Sequence, residues 1–188
     1  MAREFTENPS LLKELAEDEK ILWKGAPEAF PLMTEETKKS LTQRWLICIV
    51  LAVALAATYI VMLGKAESGI NAWVLILVLV AVAYYACIPM LDRSNIYKKC
   101  KYYITDRRVI LDYGERDIYS LPLAGLRSEI IPAEAGCIHV NLGACVGIAG
   151  AKRRVASFVP KKDDNDNING FVIYNIADEK AVRDIFAN

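Results

Sequence analysis

The sequence predicts an α+β membrane protein: a two-helix transmembrane hairpin, and a cytoplasmic bent β-sheet or barrel capped by a C-terminal helix. Three observations predict it. Residues 45–64 and 70–91 contain no Asp, Glu, Lys or Arg, although 24% of the 188 residues are charged. Residues 102–176 break into short apolar segments separated by turn residues. The last ten residues return to helical spacing.

The N-terminal arm, residues 1–40, comes first. Asn8-Pro9-Ser10 offers a helix start, since Ser caps well and Pro suits the first turn. A short helix through Leu11, Leu12 and Leu15 is expected to follow. Residues 19–27, Glu-Lys-Ile-Leu-Trp-Lys-Gly-Ala-Pro, then read as a strand ending in a turn.

Residues 41–92 form the hairpin, with helices at about 45–64 and 70–91. Twenty helical residues span about 30 Å, the thickness of a bilayer's hydrocarbon core. Neither segment has the polar stripe expected of a helix in a soluble core. The first apolar run starts after more than forty residues, so a cleaved signal peptide is not expected. Only residues 65–69 intervene between the runs, which places both flanks on one side. Lys38, Lys39 and Arg44 precede the first run and Arg93, Lys98, Lys99 and Lys101 follow the second, whereas the loop carries Lys65 alone. The positive-inside rule makes both termini cytoplasmic. Trp45 and Trp73 fall at opposite interfaces. Ala52 and Ala56 form a small-xxx-small pair suited to close helix–helix contact. Tyr59, Tyr84 and Tyr85 lie deeper, where interhelical hydrogen bonding is a better account than a quinone pocket.

Residues 93–188 are read as the main cytoplasmic part. Residues 102–104 and 108–113 flank a Thr105-Asp106-Arg107 turn. Gly114 marks the next turn and residues 118–121 the next strand. Ile138, Val140 and Leu142 alternate with His139 and Asn141, the pattern of a half-buried strand with His139 facing solvent. Residues 154–159 and 171–176 complete the strands. Asp178 is expected to cap a last helix whose apolar face is Ala181, Val182, Ile185 and Phe186.

Glu19-x-Ile21-Leu22-Trp23-x-Gly25-x-Pro27 and Tyr102-x-Ile104-Thr105-Asp106-x-Arg108-Val109-Ile110 together resemble the bacterial pleckstrin-homology-like membrane proteins. Gly136-x-Ile138-x-Val140 and the segment from Phe171 into the last helix are similar but less specific. The resemblance implies a seven-stranded bent sheet capped by a C-terminal helix, beside a membrane hairpin. It implies a bacterial inner-membrane location. No match to a basic phosphoinositide loop is present, and the Gly/Ala-rich stretch 143–150 departs from the family pattern.

The candidate chemistry is sparse. The five cysteines form no Cys-x-x-Cys pair and are read as structural thiols without metal. Residues 163–170 resemble a calcium loop, but no register supplies both Gly at position six and Glu at position twelve, so a polar hairpin loop is expected. Gly143, Gly147 and Gly150 fail the Walker pattern, because Ala-Lys-Arg follows Gly150; glycines that permit close strand approach are expected instead. With 23 basic and 23 acidic residues, no nucleic-acid-binding excess exists. The expected function is therefore non-enzymatic and needs no cofactor. It is a membrane-anchored module that recruits or stabilises partner proteins through a β-edge or the groove beside the last helix. The alternative is an accessory or assembly subunit of a larger membrane complex. Its partners would be membrane lipids and other membrane or membrane-associated proteins, with homo-oligomerisation left open. Arg44, Arg93, Lys98, Lys99 and Lys101 are the expected lipid-headgroup contacts, since anionic lipid attracts juxtamembrane cations.

Overall fold

The computed structural model describes Pro9, Leu11 and residues 15–63, 72–114, 117–177 and 179–186. The chain divides into two compact units, Leu32–Leu91 and the combination of Met1–Pro31 with Asp92–Asn188.

The first of these is a helix pair, α1 (Glu35–Leu63) and α2 (Ala72–Lys99). The last eight residues of α2 belong with the second unit. Helix α1 starts ten residues before the apolar run because its N-terminus is well capped. The Thr37 N–H donates to Thr34 Oγ1 (3.3 Å), the Thr34 N–H donates to Thr37 Oγ1 (3.1 Å), and Glu35 and Glu36 meet the positive end of the helix dipole. Lys98 and Lys99 serve the opposite end of α2. Half-buried or buried positions recur every three or four residues: Trp45, Cys48, Ala52, Ala56 and Tyr59 on α1, and Leu75, Leu79, Val82, Ala86 and Pro89 on α2. Along this seam the Trp45 indole N–H donates to the Ala86 carbonyl (3.2 Å) and the Arg44 guanidinium lies 5.0 Å from the Tyr85 ring. Over residues 46–62 and 73–91 the remaining surface is almost entirely bare apolar side chain. Only 6% of each most apolar stretch is buried, at a mean hydropathy of 2.6. A core helix of a soluble domain would be mostly covered. The loop carrying Lys65 lies outside the described residues.

The second unit is α+β. Strands β1 (Ile21–Gly25), β2 (Lys101–Thr105), β3 (Arg108–Asp112) and β4 (Ile118–Pro122) form an antiparallel sheet in that order. Thus the arm strand pairs with a partner eighty residues away, with Trp23 opposite Ile104 and Gly25 opposite Tyr102. Strands β5 (Ser128–Pro132), β6 (Ile138–Leu142) and β9 (Val172–Ile176) form a second antiparallel sheet in the order β5-β6-β9. A small hairpin pairs β7 (Lys161–Lys162) with β8 (Ile168–Gly170). Its loop is the expected polar turn, in which Asp163 Oδ1 accepts the backbone N–H groups of Asn165 and Asn167 (both 2.9 Å).

One core joins both large sheets. Trp23, Tyr102, Ile104, Val109, Leu111 and Leu121 meet Ile138, Val140, Leu142, Ile173 and Ile176, with Ile96 of α2 and Val182 of the last helix, α4 (Glu179–Phe186). The alternate residues Tyr103 and Ile110 face the other way and are buried by Leu11 of the arm, whose backbone is helical. Strands β2 and β3 therefore read as nearly continuous apolar runs because both faces are covered. The proposed caps at Ser10 and Asp178 lie outside the described residues.

Two expectations are corrected. Residues 154–159 are not a strand: Gly150–Phe158 form helix α3, which packs on β9 and buries Arg153, Arg154, Ala156 and Ser157. The β-branched Val155 and Val159 suggested a strand, but packing of the 153/154/156/157 face decides the outcome over propensity. His139 does not face solvent; it is 4% exposed. Strand β6 is the middle strand of its sheet and is covered on both faces, so alternation does not report exposure. The His139 Nδ1 accepts the Asn175 N–H (3.0 Å) and its ring stacks on Tyr174 with centroids 4.2 Å apart. Asn141, also buried, donates from Nδ2 to Glu129 Oε2 and to the Ile148 carbonyl (both 3.0 Å). The stretch 143–150 forms turns, and Gly143 provides the close approach expected of it. At φ +57° a Cβ there would lie 2.2 Å from the Asn169 carbonyl oxygen.

Candidate functional site

The two sequence motifs of the resemblance meet in space. Glu19 Oε1 accepts Arg108 Nε–H (2.9 Å) and the Thr105 hydroxyl (2.8 Å), while Glu19 Oε2 accepts Arg108 Nη2–H (2.9 Å). The Thr105 oxygen in turn accepts the N–H groups of Arg107 (3.2 Å) and Arg108 (2.9 Å), closing the β2–β3 turn. Asp106 completes the junction: its N–H donates to the Lys20 carbonyl (3.1 Å), and its Oδ1 accepts the Lys20 N–H (3.1 Å). The Glu19 side chain is 2% exposed. The bidentate Arg108 hydrogen bonds overcome the effect of burial and hold its carboxyl at about 2. Trp23-x-Gly25 has an equally local cause. The indole lies along the strand over Gly25, where a Cβ would come within 2.4 Å of the ring.

This junction borders an open groove of about 1010 Å³. Leu22 of β1, Leu123 and Leu126 of the β4–β5 loop, and Ile185 and Phe186 of α4 supply its apolar lining. Asp106, Arg107 and Asp184 add charge, and Arg107 is bonded to Asp18. The loop is held by the Leu123 N–H donating to the Arg107 carbonyl (2.8 Å) and turns at Gly125, φ +73°. Leu22 is 54% exposed despite its place in a strand. An apolar channel with charged groups at its margin accommodates the side chains of a peptide segment. Sequence reasoning expected a groove beside the last helix and named Ile185 and Phe186 on that helix's apolar face, but not Leu123 and Leu126 as its opposite side. Leu22, alternating out of the core next to Trp23, was the available signal.

The expected headgroup contacts are dispersed over both units. Arg44 lies on α1 over Tyr85. Arg93 Nε donates to the Phe30 carbonyl (2.5 Å) with its guanidinium 5.9 Å from the Phe30 ring, and Lys99 lies 5.3 Å from the Tyr113 ring. Lys98 is exposed and Lys101, in β2, is half-buried. Ala52 and Ala56 lie on the half-buried stripe of α1. None of the five cysteines forms a disulfide; four are buried and Cys87 is exposed. Burial raises the thiol pKa values of Cys137 and Cys145, which disfavours the nucleophilic thiolate. Among the described residues no group of three His, Cys, Asp or Glu side chains could hold a metal ion.

Comparison with protein-family models, curated proteins and solved structures finds no match.

Proposed function

We propose that the chain is a non-enzymatic, membrane-anchored interaction module with a pleckstrin-homology-like domain on the cytoplasmic side of a bacterial inner membrane. The observation that carries the anchoring is the bareness of α1 and α2: their apolar side chains stand uncovered over lengths that match a bilayer. Thr58, within the first apolar run, donates its hydroxyl to the Ala54 carbonyl (2.8 Å), so that this polar group needs no water. A four-stranded meander facing a three-stranded sheet across one core, with a C-terminal helix, supports the domain reading. Helix α3 and the β7–β8 hairpin are then insertions before the last strand. The groove lined by Leu22, Leu123 and Phe186 is the contact surface for a partner protein in this reading.

The test is site-specific photo-crosslinking in intact membranes. A photoreactive residue at position 22 or 123 is expected to capture a discrete membrane or membrane-associated protein, and Phe186→Asp to diminish that capture. Labelling no stronger than from position 165, on the β7–β8 loop, would refute the groove as the contact surface. Extraction of the chain from membranes by alkaline carbonate would refute the anchoring.

A further inference from the structure

Charge in this chain is segregated in a way its zero net charge conceals. Residues 93–101 and 147–162 contain nine of the 23 Lys and Arg residues and none of the 23 Asp and Glu residues. The fold brings the two segments together. The Cys100 thiol donates to the Ser157 carbonyl (3.6 Å), Phe158 stacks on Tyr113 with centroids 5.9 Å apart, and Lys99 lies over the same Tyr113 ring. Helix α3 buries one face beneath this junction and leaves Lys152 and Val155 outward, and Val159, the extended residue that ends it, is outward as well; the two valines are 45% and 53% exposed. The two exposed valines lie in a segment that carries basic and no acidic residues, a composition suited to a membrane interface.

We propose that α3 and the C-terminal end of α2 form one face that rests on an anionic lipid leaflet, with Val155 and Val159 entering the headgroup–acyl boundary and Lys98, Lys99 and Lys152 meeting lipid phosphates. The inference rests on the membrane-anchored reading. Charge complementarity selects the occupant, and chain connectivity supplies its proximity. Lys98 is seven residues past Leu91, the end of the apolar run, so even an extended chain holds it within about 25 Å of that point. Arg153 and Arg154 are buried and add positive field rather than contacts. Burial first, then the nearby Cys100, Asp117 and Asp92, raises the Tyr113 pKa, and the cationic residues outnumber these two carboxylates.

The experiment uses the full chain reconstituted in phosphatidylcholine vesicles, with or without phosphatidylglycerol, carrying an environment-sensitive fluorophore at position 155 or, separately, 165. Position 155 is expected to shift to the blue and to be quenched by lipid-borne quenchers only when phosphatidylglycerol is present. Salt should reverse the effect. Lys98→Gln, Lys99→Gln and Lys152→Gln should each lower the ratio of lipid-docked to undocked position 155 by about fivefold, the factor set by one cation near an anionic surface. Position 165 should remain in water throughout. An aqueous spectrum at position 155 in phosphatidylglycerol vesicles overturns the proposal, as does a response to added duplex DNA without a response to phosphatidylglycerol. Carbonate treatment of the same vesicles separates the two readings. If the chain stays embedded while position 155 stays in water, only the α3 face is refuted; if the chain is extracted, the anchoring itself fails.

Discussion

Acid should unlock the junction between the arm and the β2–β3 turn, and Glu19 sets how strongly. Its carboxyl is held at about 2 against an ordinary 4.5. One pKa unit corresponds to about 1.4 kcal/mol, so the ionised Glu19 stabilises the fold by about 3 kcal/mol relative to its protonated form. Because the folded-state value is depressed, that stabilisation is fully present above about pH 4.5 and is lost as the pH falls through about 2. Glu129 and Asp163 are shifted in the same direction, by backbone hydrogen bonds from Gly147 and Asn167 respectively, so the acid response of the wild-type chain is not due to Glu19 alone. The informative quantity is a difference. Urea unfolding of the full chain in nonionic detergent, followed by pulse proteolysis of the strand-rich unit, should show Glu19→Gln less stable by about 2–3 kcal/mol at pH 7. The gap should narrow toward zero near pH 2. Arg108→Gln should cost at least as much at pH 7, because it leaves Glu19 ionised and buried without its bidentate partner. The double variant should be more stable than the sum of the two single losses predicts. A Glu19→Gln gap that stays constant from pH 7 to pH 2 would refute the assignment of this depressed titration to Glu19.

Trp23→Ala removes a buried indole from the core shared by both sheets and should destabilise the strand-rich unit by about 3–5 kcal/mol in the same assay. Removal of residues 1–31 should be more severe still, since it also takes away strand β1; unchanged stability would show the arm to be independent. Gly143→Ala, which combines a left-handed backbone with a 2.2 Å clash against Asn169, should cost more than Gly147→Ala, which has φ +81° and open space for a Cβ. The Gly147 change should stay near the roughly 1–2 kcal/mol of the backbone term alone, and equal losses would contradict the close approach. For topology, Ser68→Cys should react with an impermeant maleimide on intact cells and Asn188→Cys only after lysis; the reverse would overturn the charge-based orientation.

The resemblance motifs acquire a physical meaning only in three dimensions. Glu19 and Arg108 lie 89 residues apart, and nothing in their spacing announces a bidentate pair. Their joint occurrence in two motifs was the only trace. The groove was even less legible. Leu123, Leu126 and Ile185 look like ordinary core residues in sequence, and Leu22 differs only by alternating with Trp23. Residues 154–159 read as a strand, yet they lie in and just after α3, which packs Arg153 and Arg154 inward and turns Val155 out.

By itself the sequence determined the features that depend on local composition. Two uncharged runs dictate two long apolar helices, because backbone polar groups in such runs are best satisfied within a helix. Turn residues at 105–107, 114 and 163–167 and the apolar segments between them dictate antiparallel strands and their approximate ends. Tertiary structure decided whatever depends on what covers a face. Period-two alternation reports exposure only when one side of a strand meets water; β6 is covered on both sides, so His139 and Asn141 are buried and hydrogen-bonded instead of solvated. Propensity is weak over nine residues, so packing on β9 made α3 a helix where β-branched residues suggested a strand. The juxtaposition of the two acid-free basic segments, 93–101 and 147–162, likewise emerges only when they are folded against each other, since contact between distant segments is a property of the packed chain and not of its order.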